Sequence, residues 1–363
     1  MNTICRLLAA AAVSIVASLP ALAETATDKP AATATPIPTL HCDFKTVSAC
    51  APDGTCKAGK DLAGMPLPLK VTVDFENTVV AAVDSVFKAV TELGTKLNEA
   101  TIAVVGATGA IGRGVAILLS EEVGRLVLIG NPARPEQSRK RLLKVAADIC
   151  RHLAERIAAG GPVAPGTLAE ALLNRGPVPT PDADAEDFLA LAETLEAEGR
   201  LLITVDLDAL LPEADLVVTA TSSVEDLVTP KNLKFGAAVC DLSRPPNVSR
   251  AVKDARPDVL VIDGGVVAVP GLADLGWNFG FEKGLAYACM AETMILGLEH
   301  HYEDTSIGTD LNLPTILALR QKGHELGFRL AQLRSFDRPL SRAEWDRLMA
   351  IRSQGFAAIA GDD

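Results

Sequence analysis

From Thr101 onward the chain repeats one pattern: a short apolar run, a break at glycine or a polar residue, then a longer stretch with apolar positions at helical spacing. The runs are TIAVVG (101–106), RLVLIG (125–130), LLITVD (201–206), DLVVTAT (215–221), AAVCDLS (237–243) and DVLVIDGG (258–265). Unbroken apolar runs of this length suit strands buried on both faces, and the helices or crossings between them make the connections parallel. The pattern therefore predicts an α/β protein built on a Rossmann-type doubly wound parallel sheet, occupying residues 101–270.

Ahead of the sheet, Val79, Val80, Val83, Val86, Phe87, Val90 and Leu93 follow helical spacing, which predicts a helix from Thr78 to Leu93, stopped by Gly94, within a lead-in of residues 71–100. Between the second and third strands lies a long excursion, 131–200. It contains helices near 136–158 and 184–199 with the Gly- and Pro-rich loop AAGGPVAPGT between them, and its middle reads as an insertion on the surface. Residues 271–363 turn helical, beginning with GLAYACMAETMILGLE (284–299), which reads as one apolar helix.

The first 23 residues have a basic start ending at Arg6, an apolar stretch and an Ala-Leu-Ala exit, the pattern of a secretory signal peptide cleaved after Ala23. That predicts a periplasmic or secreted protein, or a cytoplasmic one if this segment is a fusion artefact. No other segment reads as a membrane span. Residues 24–70 read as a flexible segment carrying Cys42, Cys50 and Cys56, more suited to disulfides or free thiols than to a zinc site with His41, since the paired C-x-x-C spacing is missing. No metal site is expected. With 34 Lys and Arg against 46 Asp and Glu, the net charge of −12 argues against a nucleic-acid partner, which would need an excess of cations.

GATGAIG places Gly106, Gly109 and Gly112 where the first strand turns into a helix. Glycine there allows the tight turn, the approach of a pyrophosphate, and close helix packing, while the helix N-terminus offers free N–H groups. A dinucleotide site is expected over Gly106, Thr108, Gly109, Ala110, Ile111 and Gly112. The second strand ends in LIGNPARPEQSRK, with no carboxylate for ribose hydroxyls before Glu136. Asn131, Arg134 and Arg139 could instead hold a 2′-phosphate, so NADP(H) is preferred and NAD(H) possible. Thr219, Thr221 and Ser222, after the fourth strand, are further candidate cofactor contacts.

The runs TIAVVGATGAIG, TATSSVEDLVTPKNLKFGAAVCDLSRPPNV, DVLVIDGGVV and LAYACMAETMILGLE resemble the long-chain acyl-acyl-carrier-protein reductases and their bacterial relatives, within a broader shikimate and amino-acid dehydrogenase-like group. The resemblance covers roughly Thr78 to Leu333. It implies that a cysteine in an A-C-x-A-E segment, here Cys289 with Glu292, attacks an acyl thioester of acyl carrier protein or coenzyme A, and that NADPH reduces the enzyme thioester to an aldehyde. Family members carry a substantial portion before the glycine loop that contributes to acyl and carrier binding. Only about a hundred residues precede it in this chain.

On a helical wheel Tyr287, Met290, Ala291, Met294, Ile295 and Leu298 form one apolar face, with Cys289, Glu292 and Thr293 opposite. Cys150 and Cys240 read as packing residues, and His300, His301 and His324 as surface groups. Two alternatives stand beside the reductase: a shikimate- or amino-acid-type dehydrogenase, for which no Lys-Asp pair is evident, and a nucleotide-binding protein with a truncated catalytic half.

Overall fold

The computed structural model describes residues 41–44, 47–50, 56–59, 61–62, 65–66, 69–72, 76–272, 280–301 and 312–360. The signal peptide and linker expected before residue 41 lie outside the described residues, as do the side chains of Cys42, Cys50 and Cys56. Over residues 41–72 the backbone forms three short antiparallel strand pairs, the outermost joining His41–Phe44 to Leu69–Thr72.

Helix α1 (Glu76–Leu93) leads into strand β1 (Thr101–Val105) and helix α2 (Ala110–Leu119). Strand β2 (Arg125–Ile129) is followed by helices α3 (Pro135–Ala158), α4 (Leu168–Leu173) and α5 (Ala185–Ala197). Then come β3 (Leu201–Thr204), β4 (Leu216–Thr219), β5 (Ala238–Asp241), the short helix α6 (Ala251–Ala255) and β6 (Leu260–Asp263). These six strands form one sheet in the order β6-β5-β4-β1-β2-β3, every neighbouring pair parallel. The order reverses direction between β1 and β4, and in such sheets ligands bind outside the carboxyl ends of the strands at that point.

Alternate strand residues face opposite sides, which is why each run is apolar throughout. Ile102, Val104, Leu126, Leu128, Val218 and Ile262 pack under α1, α2, α3 and α5. Ala103, Val105, Val127, Ile129, Val217 and Val239 face the other way, against Leu211, Val228, Leu233, Val248 and Val252 from turns and α6. Long helices thus cover one face, and short pieces the other.

The two long helices of the excursion after β2 belong to the core, while the Gly- and Pro-rich loop between them lies at the surface. Leu142, Val145, Ile149 and Leu153 of α3 are buried against the sheet, with Phe188 and Leu195 of α5 beside them. At about 1.5–3 kcal/mol per buried side chain, those four from α3 alone contribute on the order of 6–12 kcal/mol. Exposed ion pairs on the charged face of the same helix are worth about 1 kcal/mol or less each. The crossover is structural; its dense RPEQSRKRLLK face is only the solvent side.

Beyond the sheet, β7 (Val266–Ala268) pairs antiparallel with β8 (Leu285–Tyr287), and α7 (Ala288–Leu298) follows directly. Helix α8 (Leu313–Leu326) and a strand β9 (Arg329–Leu330), which pairs with β7, complete this region. Ala81, Val267, Ala286, Ala291, Ile295, Leu319 and Phe328 form its core. A hairpin of β10 (Arg334–Ser335) and β11 (Arg338–Pro339) precedes the last helix, α9 (Arg342–Ala360). Among the described residues no helix is long and apolar enough to cross a membrane.

Candidate functional site

The turn between β1 and α2 is built from three glycines with different jobs. Gly106 has φ +82°, and a Cβ there would sit well under 3.0 Å from the carbonyl oxygen of Ala220, at the end of β4. A Cβ on Gly112 would collide with Gly106, 2.8 Å from its carbonyl carbon. Both glycines are therefore required by the protein's own packing. Gly109 is different: its φ is −79°, and an added Cβ would meet Gly106 O at 3.4 Å and Ala220 O at 3.8 Å, both ordinary contacts. Nothing in the described fold demands glycine there, so the open space above it is available to a ligand. Gly109 is also the N-cap of α2, makes no side-chain cap, and the first turn carries no acidic residue. The N–H groups of that turn face outward with the positive end of the helix dipole, which suits a pyrophosphate. Thr108, Ala110 and Ile111 are half-buried around it.

At the end of β2 the chain enters an exposed turn with no carboxylate until Glu136. Asn131 shapes it: its side-chain oxygen accepts from Ala133 N (2.8 Å) and its carbonyl from Ser138 Oγ (2.8 Å). Arg139 is committed to Glu196 through two 3.0 Å bonds, which raise its pKa. Arg134 is exposed and, among the described residues, makes no ion pair. Beyond Pro132 a cleft of about 730 Å³ opens between the ends of β2 and β3 and the loop after β4, lined by Val205, Leu207, Leu227 and Asn232 and by three carboxylates, Asp206, Asp208 and Asp226, with Lys231 among them.

The loops after β4 and β5 are knotted by one buried carboxylate. Asp241 accepts from Thr219 Oγ1 (2.6 Å) and Ser243 N (2.9 Å) on one oxygen, and from Asn247 N (2.9 Å) and Val248 N (3.1 Å) on the other. Thr221 Oγ1 donates to Asn247 Oδ1 (2.7 Å), and the Asn247 amide donates to the carbonyls of Ser223 and Glu225. Of the three hydroxyls expected to touch a cofactor, Thr219 is fully buried on Asp241 and Thr221 is held by Asn247; Ser222 is exposed. Sequence reasoning missed Asp241 and Asn247. Their signal was present in DLS and PPNV, polar residues placed at and just past the carboxyl end of a buried strand.

The stretch 284–299 is not one helix. Leu285–Tyr287 pair with Val266–Ala268, and α7 begins only at Ala288, whose N–H donates to Gly265 O (2.8 Å) just beyond β6. Cys289 is thus in the first turn of a helix anchored on the carboxyl edge of the sheet. The expected wheel is rotated as well. Ala288, Ala291, Glu292 and Ile295 form the buried stripe, while Met290, Met294 and Leu298 are half-buried. Glu292 is therefore on the core side, 1% exposed, rather than opposite it, and half-buried Cys289 lies along the stripe's edge, three residues before it. Burial pushes the Cys289 thiol above its ordinary pKa; the Met290 and Cys289 N–H groups pull it down, and the Glu292 charge pushes it up. Cys150 and Cys240 are fully buried, and burial raises the Cys150 thiol to about 12 and Cys240 further still. They are packing residues.

No family model matches the chain. It is 31% identical over 160 residues to the aminotransferase PigE of Serratia sp., covering 43% of this chain and 18% of that protein. It is 26% identical over 262 residues to the long-chain acyl-[acyl-carrier-protein] reductase of Synechococcus elongatus, covering 68% of this chain and 60% of the reductase. The chain thus spans less than two thirds of either curated relative. Among solved structures, a dipicolinate synthase from Bacillus halodurans matches with a TM-score of 0.30 and 12% identity, over 52% of this chain and 46% of that one. The nucleotide-binding domain of glutamyl-tRNA reductase from Thermoplasma volcanium matches with a TM-score of 0.25 and 18% identity, over 50% and 84%.

Proposed function

We propose that this chain is a nicotinamide-dependent reductase that takes the acyl group of a fatty acyl thioester onto Cys289 and releases it as an aldehyde. The observation that carries the reading is a shared edge. The glycine turn after β1 and the thiol-bearing first turn of α7, bonded to Gly265 beyond β6, both lie at the carboxyl ends of one parallel sheet. The likeness to a protein described as a long-chain acyl-[acyl-carrier-protein] reductase supports the substrate class.

The residues fit a dinucleotide. Gly109 and the N–H groups of α2 receive the pyrophosphate. The cleft between Pro132, Val205 and Leu227 takes the adenosine end. Arg134, without a carboxylate competitor on the second strand, favours a 2′-phosphate and hence NADP(H). Ser222, exposed after β4, is a further contact for the cofactor. When bound, the dinucleotide supplies the hydride that reduces the enzyme thioester.

The chain's own residues perform the acyl transfer. A thiol with a raised pKa is protonated at neutral pH, so attack requires a proton acceptor. Glu292, whose charge acts on the sulfur from the next turn, takes that proton. The sulfur then bonds to the acyl carbon, the carrier's C–S bond breaks, and the carrier thiol leaves with a proton. The acyl group stays activated on Cys289 while the carrier departs, dividing one difficult step into two.

The test is oxidation of NADPH by purified protein with hexadecanoyl-coenzyme A and with hexadecanoyl-acyl carrier protein. Stoichiometric fatty aldehyde is expected from at least one of them, and none from Cys289→Ala. NADPH binding without turnover on either substrate would overturn the reading.

A further inference from the structure

The thiol-bearing first turn of α7 has no capping side chain and rests on two supports. One is Gly265 O, just past β6, which takes the Ala288 N–H. The other is β8, which runs straight into the helix. The β10–β11 hairpin grips both.

At the first support, the carboxylate of Asp263, two residues before Gly265, accepts from Phe336 N (3.2 Å) on one oxygen and from Asp337 N (2.6 Å) on the other. At the second, Arg334 Nη1 donates to Glu282 (2.6 Å) in the turn before β8, and the guanidinium lies 5.2 Å from the ring centroid of Phe281. Phe281 meets Tyr287, the N-cap of α7, edge-on at 4.8 Å. Arg334 is itself buried, and its Nη2 closes the hairpin through Asp337 O (2.7 Å).

The grip is held against backbone strain. Pairing of Arg334 with Pro339 and of Ser335 with Arg338 leaves Phe336 and Asp337 as a two-residue turn, with φ 50° and 67°. Turns of this kind favour Asn-Gly, and a bulky residue at positive φ is an outlier. Such conformations persist where the surroundings impose them, and they cluster at clamps and switches. Here the Phe336 ring packs against the second face of the sheet, 5.8 Å from Lys253 Nζ, and Asp263 takes both N–H groups of the turn. Burial pushes the Asp263 carboxyl above the usual range; the Asp337 N–H pulls it down, the Asp337 charge pushes it up, and the charge of Arg244, after β5, and the Phe336 N–H pull it down again. Poorly hydrated, the carboxylate depends on the turn as the turn depends on it.

We infer that the β10–β11 hairpin is a releasable clamp on the first turn of α7, with Asp263 and Arg334 as the positioning residues that set where Cys289 stands for acyl transfer. The inference rests on the thioester reading and adds to it the element that places the nucleophile. Asp263 closes the clamp by holding two left-handed residues. Their strain is what lets it open.

The experiment compares wild type, Asp263→Asn, Asp337→Gly and the double variant by hydrogen exchange over residues 285–298. The same proteins are assayed for single-turnover release of coenzyme A from saturating hexadecanoyl-coenzyme A without reductant, for NADPH affinity and for thermal unfolding. Asp263→Asn turns an amide N–H toward one of the two donors. Exchange in the first turn of α7 should then speed about tenfold and acylation slow about tenfold or more, within the roughly hundredfold that a 1 Å misplacement costs. In Asp337→Gly the new residue adopts a left-handed φ freely, so the double variant should return both rates to within about threefold of wild type. NADPH affinity should stay within about twofold throughout. If Asp263→Asn does not fold, Glu282→Gln, an exposed change that weakens the other grip, should speed the same exchange and slow acylation about threefold. Exchange or acylation unchanged in whichever variant folds overturns the inference and leaves the thioester reading standing. So does a loss in Asp263→Asn that Asp337→Gly does not restore, which would give Asp263 a role other than holding the turn. A wild-type protein that takes no acyl group refutes the thioester reading and, with it, the positioning role.

Discussion

Replacing Gly112 and Gly109 by alanine, one at a time, separates what the fold needs from what a ligand needs. In Gly112→Ala the new methyl would lie 2.8 Å from the Gly106 carbonyl carbon and 3.1 Å from Ala107 Cα. Those atoms cannot yield easily, because Gly106 N is bonded to Ile129 O (2.9 Å) and Gly106 O accepts from Gly109 N (2.9 Å). Overpacking against fixed backbone costs about 1–3 kcal/mol. For a chain of this size that lowers Tm by roughly 2–10 °C. In Gly109→Ala the methyl meets two oxygens, at 3.4 and 3.8 Å, with φ already negative, so the fold should lose no more than about 0.5 kcal/mol. The same methyl occupies the approach to the N–H groups of α2. NADPH affinity should therefore fall at least tenfold, about 1.4 kcal/mol. Thermal unfolding and nicotinamide fluorescence titration on both variants give the two readings. A folded Gly109→Ala that binds NADPH as wild type does, or a Gly112→Ala as stable as wild type, would refute the division of labour.

Three other outcomes follow from the site. The raised Cys289 pKa means that its alkylation by iodoacetamide should reach half of its plateau rate only above about pH 8.5, the midpoint of an ordinary thiol; Glu292→Gln should move the profile to lower pH, and a midpoint at or below 8.5 in wild type would contradict the burial argument. Arg134→Ala should weaken NADPH roughly tenfold, about 1.4 kcal/mol, and leave NADH unchanged in the same titration. Equal losses for both would remove Arg134 from the 2′-phosphate. Asp241→Asn puts an amide where a carboxylate oxygen receives two donors, leaving them facing a third. At about 1–3 kcal/mol per unsatisfied buried donor, urea denaturation should show a loss of about 2–6 kcal/mol.

What the sequence made legible was whatever depends on near neighbours. The six strands begin and end within about two residues of their apolar runs, because a strand buried on both faces needs unbroken apolar sequence and little else. Helix α1 begins two residues before its expected start and ends at Leu93 as expected. What escaped depends on distant partners. Leu285–Tyr287 became a strand because Val266–Ala268, some twenty residues earlier, offers it a ladder, and no local signal divides LAY from ACMAE. That division moved Cys289 from mid-helix to the first turn and rotated Glu292 into the core. Thr219 looked like a cofactor contact because its buried partner, Asp241, is 22 residues away. The excursion after β2 escaped for another reason. Its apolar positions Leu142, Val145, Ile149 and Leu153 are at helical spacing, but the arginines and lysines around them dominate the local pattern.

The acyl-enzyme is where the account is most exposed. Protein incubated with hexadecanoyl-coenzyme A in the absence of reductant, then digested and analysed by mass spectrometry, should carry one hexadecanoyl group on the peptide containing Cys289. That group should be removed by neutral hydroxylamine, be lost on adding NADPH, and be missing in Cys289→Ala. An unmodified Cys289 peptide, or an adduct that survives in Cys289→Ala, would contradict it.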